Sequence, residues 1–258
     1  MAAAERILEV VDLAKTYGSR GSVTHALRGI SMAIERGEFV GVMGPSGSGK
    51  TTLLNVISTI DSPTSGRVWV GGQELTALGR REVARFRRKR LGFIFQDFNL
   101  LDTLTLRENI GLALSIAGAP AGEIDRRVTA MAERLGIVDA LDKFPYQVSG
   151  GQKQRAAAAR ALITGPDLVL ADEPTGNLDS RAARTLLEAL SDLNRDLQAT
   201  ILLVTHDPFA ASYCSRILFI KDGRLFTELV RGEAPRQRFF DRIIATLAEL
   251  GGGGADVR

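Results

Sequence analysis

The sequence predicts an α/β fold around a largely parallel sheet, and three observations predict it. Short apolar, often β-branched runs recur along the chain, helical patterns alternate with several of them, and the linking stretches are short. A strand buried on both faces reads as a continuous apolar run rather than an alternating one. Ile7 to Leu13, Phe39 to Met43, Arg67 to Val70, Leu91 to Phe95, Leu168 to Ala171, Ile201 to Val204 and Ile217 to Ile220 are runs of strand length. Gly49 to Ile60 is expected to be a helix leaving a Gly-rich loop, Ile124 to Leu135 an amphipathic helix, and Arg181 to Leu197 another with apolar residues at helical spacing. Between Leu100 and Thr164 the strand signal fades and helices dominate, which predicts a helical subdomain, about 97–163, inserted into a domain covering 1–235. Pro235 opens a last amphipathic segment, 236–250, with Phe239, Phe240, Ile243, Ile244, Leu247 and Leu250 on one face. A flexible Gly-rich tail, 251–258, is expected after it.

The composition narrows the class. Of 258 residues 45% are hydrophobic and 24% charged, ordinary values that exclude neither a core nor a soluble surface but do argue against disorder. No apolar run approaches the roughly 20 residues that spanning a bilayer takes. Met1 to Arg6 lacks a basic region followed by an apolar stretch, so the chain is expected to stay in the cytoplasm. The single cysteine, Cys214, excludes an intramolecular disulfide and is read as inert. A net charge of +3 over 33 basic and 30 acidic residues does not argue for nucleic acid. Arg80 to Arg90, seven basic residues among eleven, is read as the solvated face of a helix, with lipid headgroups or an acidic partner as the alternative. His25 has no motif around it and is read as structural or solvated.

Three motifs carry chemistry. Gly44-Pro45-Ser46-Gly47-Ser48-Gly49-Lys50-Thr51 fits G-x-x-x-x-G-K-[ST] between an expected strand and an expected helix, the context that makes the pattern a phosphate-binding loop. Its glycines let backbone N–H groups face phosphate oxygens, and the helix start adds its positive end. Lys50 is expected to neutralise β- and γ-phosphates and Thr51 to hold Mg²⁺, with Thr52 among the nucleotide contacts. Leu168 to Glu173 is an apolar strand ending in two carboxylates. Asp172 is expected to be the metal partner, and Glu173 the general base or water-orienting group. Ser149-Gly150-Gly151-Gln152 stands twenty-three residues upstream of that acidic pair. Ser149 and Gln152 have capping-box spacing, so the serine is expected to cap the helix that follows. A capped start with two glycines also presents N–H groups to an anion.

Together these motifs resemble the ATP-binding subunits of ABC transporters, with similarity over about residues 5 to 230. The resemblance implies a P-loop NTPase (RecA-like) core with an N-terminal antiparallel β subdomain and a helical insertion. It also implies ATP and Mg²⁺ as ligands, and a homodimer in which the phosphate loop of one subunit and Ser149 to Gln152 of the other sandwich each nucleotide. Tyr17 resembles the aromatic that stacks on adenine, and Gln96 the glutamine that contacts Mg²⁺ and senses the membrane subunit. Asn177-Leu178-Asp179 resembles the loop that crosses the dimer interface, His206 the γ-phosphate switch histidine. Val148 replaces the commoner leucine of the signature.

Phe95 to Ile110 and the terminal Arg238 to Ile244 segment resemble the bacitracin-type antimicrobial-peptide resistance ATPases. That subgroup implies two ATPase copies under one integral membrane permease, a position on the cytoplasmic face of the membrane, and signalling through the permease to a sensor histidine kinase. Lipoprotein-release and macrolide-efflux ATPases are the alternative within the superfamily. Soluble cassettes acting on ribosomes or DNA usually carry two cassettes or a long coiled-coil insertion, and neither appears in the sequence.

Overall fold

The computed structural model describes residues 5–18 and 22–252. Its strands are β1 (Arg6–Tyr17), β2 (Thr24–Glu35), β3 (Phe39–Met43), β4 (Ser65–Val70), β5 (Gln73–Glu74), β6 (Leu91–Ile94), β7 (Leu168–Asp172), β8 (Ile201–Val204), β9 (Arg216–Lys221) and β10 (Arg224–Val230). Its helices are α1 (Lys50–Ile57), α2 (Arg80–Arg90), α3 (Leu106–Ala117), α4 (Ala121–Arg134), α5 (Gly150–Leu162), α6 (Ser180–Leu197), α7 (Pro208–Ala211) and α8 (Arg236–Gly252).

Two sheets organise the chain. One has the order β10-β9-β3-β8-β7-β6 and is parallel except for β10, which returns antiparallel to β9. The other is antiparallel, in the order β2-β1-β4-β5. Successive side chains of a strand point to opposite faces, and the parallel sheet has a core on each. Val40, Val42, Leu170, Leu202 and Val204 meet Leu53, Leu54, Val56 and Ile57 of α1 and the inner faces of β1 and β2. Phe39, Met43, Val169, Ala171, Ile201 and Leu203 face the other way, onto α3, α5, α6 and α8. With about 25 cal/mol per Å² of apolar surface, this double burial is the main stabilising term.

β1 runs on to Tyr17, past the expected Leu13, because it is paired on both sides, with Ala14 opposite Arg28 and also opposite Ser65. β2 and β10 were not apparent in the sequence. β2 alternates buried and exposed residues, and β10 leaves Leu225, Phe226 and Val230 in solvent, so neither forms a continuous apolar run. Helix α1 stops at Ile57 rather than Ile60, since Thr59 takes a left-handed φ of 60°. The cationic stretch is α2, which buries only Phe86 and ties Arg90 to Asp167 at 2.6 Å. In α8 the expected apolar face is shifted: Phe239, Ile243, Thr246 and Leu250 are buried, whereas Ile244 is exposed. A period of 3.6 residues puts those four on one line and turns Ile244 away from it. Arg236 stacks 4.2 Å from the Tyr213 ring at the start of that helix. Cys214 is buried against Gly41, where desolvation pushes its thiol pKa far up. No helix among the described residues is long and apolar enough to cross a membrane.

Candidate active site

The phosphate loop joins β3 to α1 and is wedged against its neighbours. A side chain on Gly44 would place Cβ 2.0 Å from the Ile220 carbonyl oxygen, and one on Gly49 would lie 2.4 Å from that of Ala26. Gly49 also takes a φ of 104° as the N-cap of α1, a conformation that favours glycine. It offers no side-chain cap, so the first N–H groups of α1 are left to an outside acceptor. Pro45, Ser46 and Gly47 are exposed, while Ser48 Oγ is buried without a partner. Lys50 Nζ donates to the carbonyls of Gly44 and Pro45, each at 2.9 Å. Burial lowers the Lys50 pKa, against the opposing pull of Glu173 and Asp172. Uncapped amides, an orphaned hydroxyl and a desolvated ammonium suit an oxygen-rich anion. Thr51, exposed on the first turn, has Thr52 beside it.

β7 carries the acids to the same end of the sheet. Asp172 sits opposite Val204 in register. Burial raises its pKa, the Glu173 charge adds to that, and Lys50 offsets it. Thr51 and Asp172 supply the oxygen donors that Mg²⁺ takes. Glu173 has a left-handed φ of 45°, pinned because its N–H donates to the Val204 carbonyl at 2.9 Å and its own carbonyl accepts from Gly176 N–H at 3.0 Å. Its carboxylate accepts from Thr205 Oγ1 at 3.1 Å and from the His206 N–H at 3.1 Å. His206 Nδ1 is 2.8 Å from Glu173 Oε1. A hydrogen bond from this ring nitrogen to an ionised carboxylate requires the Nδ1–H tautomer. A cleft of about 540 Å³ brings together Gly44 to Gly47, Lys50, Thr51, Glu173 and His206, with Leu247, Leu250 and Gly251 of α8 on its wall.

Other sequence-selected residues lie outside that cleft lining. Tyr17 is exposed at the end of β1, with its hydroxyl donating to Asp61 at 2.7 Å. Gln96 follows β6 and donates to Asn177 Oδ1 at 3.2 Å. Ser149 caps α5: its Oγ accepts from the Gln152 N–H at 3.3 Å, and Gln152 Oε1 accepts from the Ser149 N–H at 3.0 Å. Gly150 lies against Leu178 and Phe98, and a Cβ on Gly151 would lie 2.9 Å from that of Ala182. Asp179 Oδ1 caps α6, accepting from the Ala182 N–H at 2.8 Å. One chain therefore holds two separate groups, the phosphate-loop cleft and a cluster of Gln96, Ser149 to Gln152 and Asn177 to Asp179.

Residues 27–176 match the ABC transporter family. The chain belongs to that family. This cassette is an ATP-binding protein that hydrolyses ATP. It is 53% identical over 246 residues to a protein of Halalkalibacterium halodurans named bacitracin export ATP-binding protein BceA, covering 95% of this chain and 97% of that one. It is 44% identical to the macrolide export ATP-binding/permease protein MacB of Syntrophobacter fumaroxidans, covering 84% of this chain and 31% of that larger one. The cassette also superposes on one chain of a solved dimer of the ATP-binding cassette MJ0796 bound to ADP and Pi, with a TM-score of 0.79, 36% identity, and coverage of 86% of this chain and 98% of that one. ABC cassettes pair and work with a membrane permease.

Two residues that hold the cassette's loops escaped sequence reasoning. Gln154, fully buried in α5, donates to the Phe95 carbonyl at 2.9 Å and the Pro174 carbonyl at 2.7 Å, tying the start of the Gln96 loop to the segment after Glu173. Asn109, fully buried in α3, accepts from the Leu101 N–H at 2.8 Å and donates to the carbonyls of Leu101, Leu104 and Thr105 at 3.0 Å. An amide among the alanines of α5 was the available signal, because a buried amide needs partners.

Proposed function

We propose that two copies of this cassette drive one permease that removes peptide antibiotics from the membrane surface, and that each ATP is held between the two copies. The carrying observation is that Ser149 to Gln152 do not line the phosphate-loop cleft of their own chain and pack instead on Leu178, Phe98 and Ala182. The second group supplies a capped helix start with N–H groups suited to a phosphate, and its natural place is over the partner's cleft.

In this reading the loop amides, Lys50 and Thr51 bind the phosphates, and Tyr17 stacks on the adenine. Asp172, Thr51 and Gln96 would hold Mg²⁺, which would supply charge neutralisation on the phosphates. Glu173 orients the attacking water and accepts its proton, held in aim by Thr205 and His206. His206 also reads the γ-phosphate. Asp179 and its neighbours line the pairing surface. Closure of the two copies moves the Gln96 loop, which Gln154 and Asn109 keep attached to α5 and α3, and so transmits the stroke to the permease on the cytoplasmic side. The permease in turn signals to a sensor histidine kinase.

The relationship to BceA supports peptide antibiotics as cargo. A macrolide exporter is the second reading, favoured by the likeness to MacB. Copurification with the neighbouring permease, followed by ATPase assays with bacitracin and with erythromycin, separates them. Stimulation by bacitracin alone is expected; stimulation by erythromycin alone overturns the assignment.

A further inference from the structure

Helix α8 does more than pack on the core. Its buried line of Phe239, Ile243, Thr246 and Leu250 fixes its rotation. Its last turn is anchored by Lys221 Nζ, which donates to the Leu250 carbonyl at 2.9 Å. That lysine follows Ile220, whose own carbonyl lies against Gly44 of the phosphate loop. A cation at a helix C-terminus also offsets the negative end of the helix, which here faces a site for an anion.

The rotation leaves a second stripe uncovered. Ile244, Leu247, Ala248 and Gly251 recur at i, i+3, i+4 and i+7, the spacing of one helix face. Ile244 is 43% exposed, Ala248 and Gly251 are exposed, and Leu247 is half-buried. Leu247 and Gly251 line the cleft beside Lys50, Glu173 and His206. The stripe therefore begins on open surface and runs into the wall of the site. A surface that completed the half-site would gain buried apolar area by extending onto this stripe.

We propose that the Ile244 to Gly251 stripe is part of the pairing surface and seats a second copy of this chain as that copy closes over the nucleotide. The proposal rests on the pairing reading above. Ile244 and Ala248 then contribute to closure and not to the affinity of a single chain for ATP.

The test uses the full chain carrying Glu173→Gln, with ATP and Mg²⁺, followed by sedimentation. Ile244→Glu and Ala248→Glu change exposed positions, so the fold is kept, which an unchanged melting temperature verifies. Each is expected to weaken the ATP-bound pair by about tenfold or more, because closure would bury an unpaired charge. Binding of a fluorescent ATP analogue to the single chain stays within twofold, and Ile244→Leu keeps pairing within twofold of the parent. Pairing within twofold of the parent overturns the proposal, as does an equal loss of single-chain ATP affinity. Loss of permease copurification with pairing intact also overturns it, since the stripe is then a permease contact. A Glu173→Gln parent that stays monomeric with ATP overturns the pairing reading itself, and the proposal with it. A parent that pairs beside variants that pair equally well removes the stripe alone.

Discussion

His206 Nδ1 lies 2.8 Å from Glu173 Oε1, and the backbone N–H of the same histidine donates to the same oxygen at 3.1 Å. In the proposed mechanism the imidazole fixes the aim of the carboxylate that orients the water, so the two residues are expected to act as a unit. Glu173→Gln is expected to cut hydrolysis by about 10²- to 10⁴-fold while ATP affinity stays within twofold. His206→Ala should lose at least about tenfold, and the double variant should be no slower than Glu173→Gln alone. Steady-state ATPase and equilibrium nucleotide binding measure both, and losses that multiply would separate the two roles.

Lys50 spends two of its three donors on the loop's own carbonyls, and nucleotide binding is expected to exchange those bonds for bonds to phosphate. Charge-assisted bonds are the stronger ones. Lys50→Ala is expected to weaken ATP binding by about 10- to 100-fold, or about 1.4 to 2.8 kcal/mol. Titration with a fluorescent ATP analogue reads this directly; unchanged affinity would remove Lys50 from the phosphate site.

Ser149 has two separable tasks. Aspartate caps a helix as well as serine does, so Ser149→Asp is expected to leave the melting temperature within about a degree. In the proposed pairing it also puts a negative charge where the partner's γ-phosphate would come to rest. ATP-driven pairing and hydrolysis should fall by about a hundredfold, with single-chain ATP binding intact. A large drop in melting temperature, or pairing that survives, would contradict this division.

Asp172 titrates above the ordinary carboxylate range, first through burial and then through the Glu173 charge. Its charged form is therefore less favourable folded than unfolded, and the folded chain binds the proton more tightly. Stability contributed by the protonated form is lost as pH rises from the ordinary value through the folded one. Asp172→Asn is expected to raise the nucleotide-free melting temperature at neutral pH by a degree or two, a modest gain because the carboxyl still meets solvent. The gain should shrink as pH falls through that window. The same variant should lose Mg²⁺-dependent hydrolysis. Melting curves across pH check the first, and a constant difference would overturn it.

The phosphate loop was legible because its requirements are local: Gly44 and Gly49 meet backbone atoms that admit no side chain, and the strand and helix on either side read plainly. The double burial of β3, β7 and β8 was legible for the same reason, as runs without alternation. β10 was hidden because its pairing with β9 comes from the backbone while its side chains stay in solvent. The rotation of α8 was half legible, since the apolar period allows more than one face and only contact with the core selects Thr246 over Ile244. That Leu247 and Gly251 share a wall with Lys50 joins ends of the chain that no local pattern connects.

The lone cysteine has a practical consequence. Cys214 is the only thiol in the chain, is sealed beneath Gly41, and is held protonated by its surroundings. A maleimide dye or spin label offered to the native protein finds no reactive sulfur. A cysteine placed at one surface position away from the proposed pairing stripe, such as the exposed Leu197 at the end of α6, is then the sole site of attachment, and closure of paired cassettes can be followed as a distance between two probes without first stripping the natural thiol.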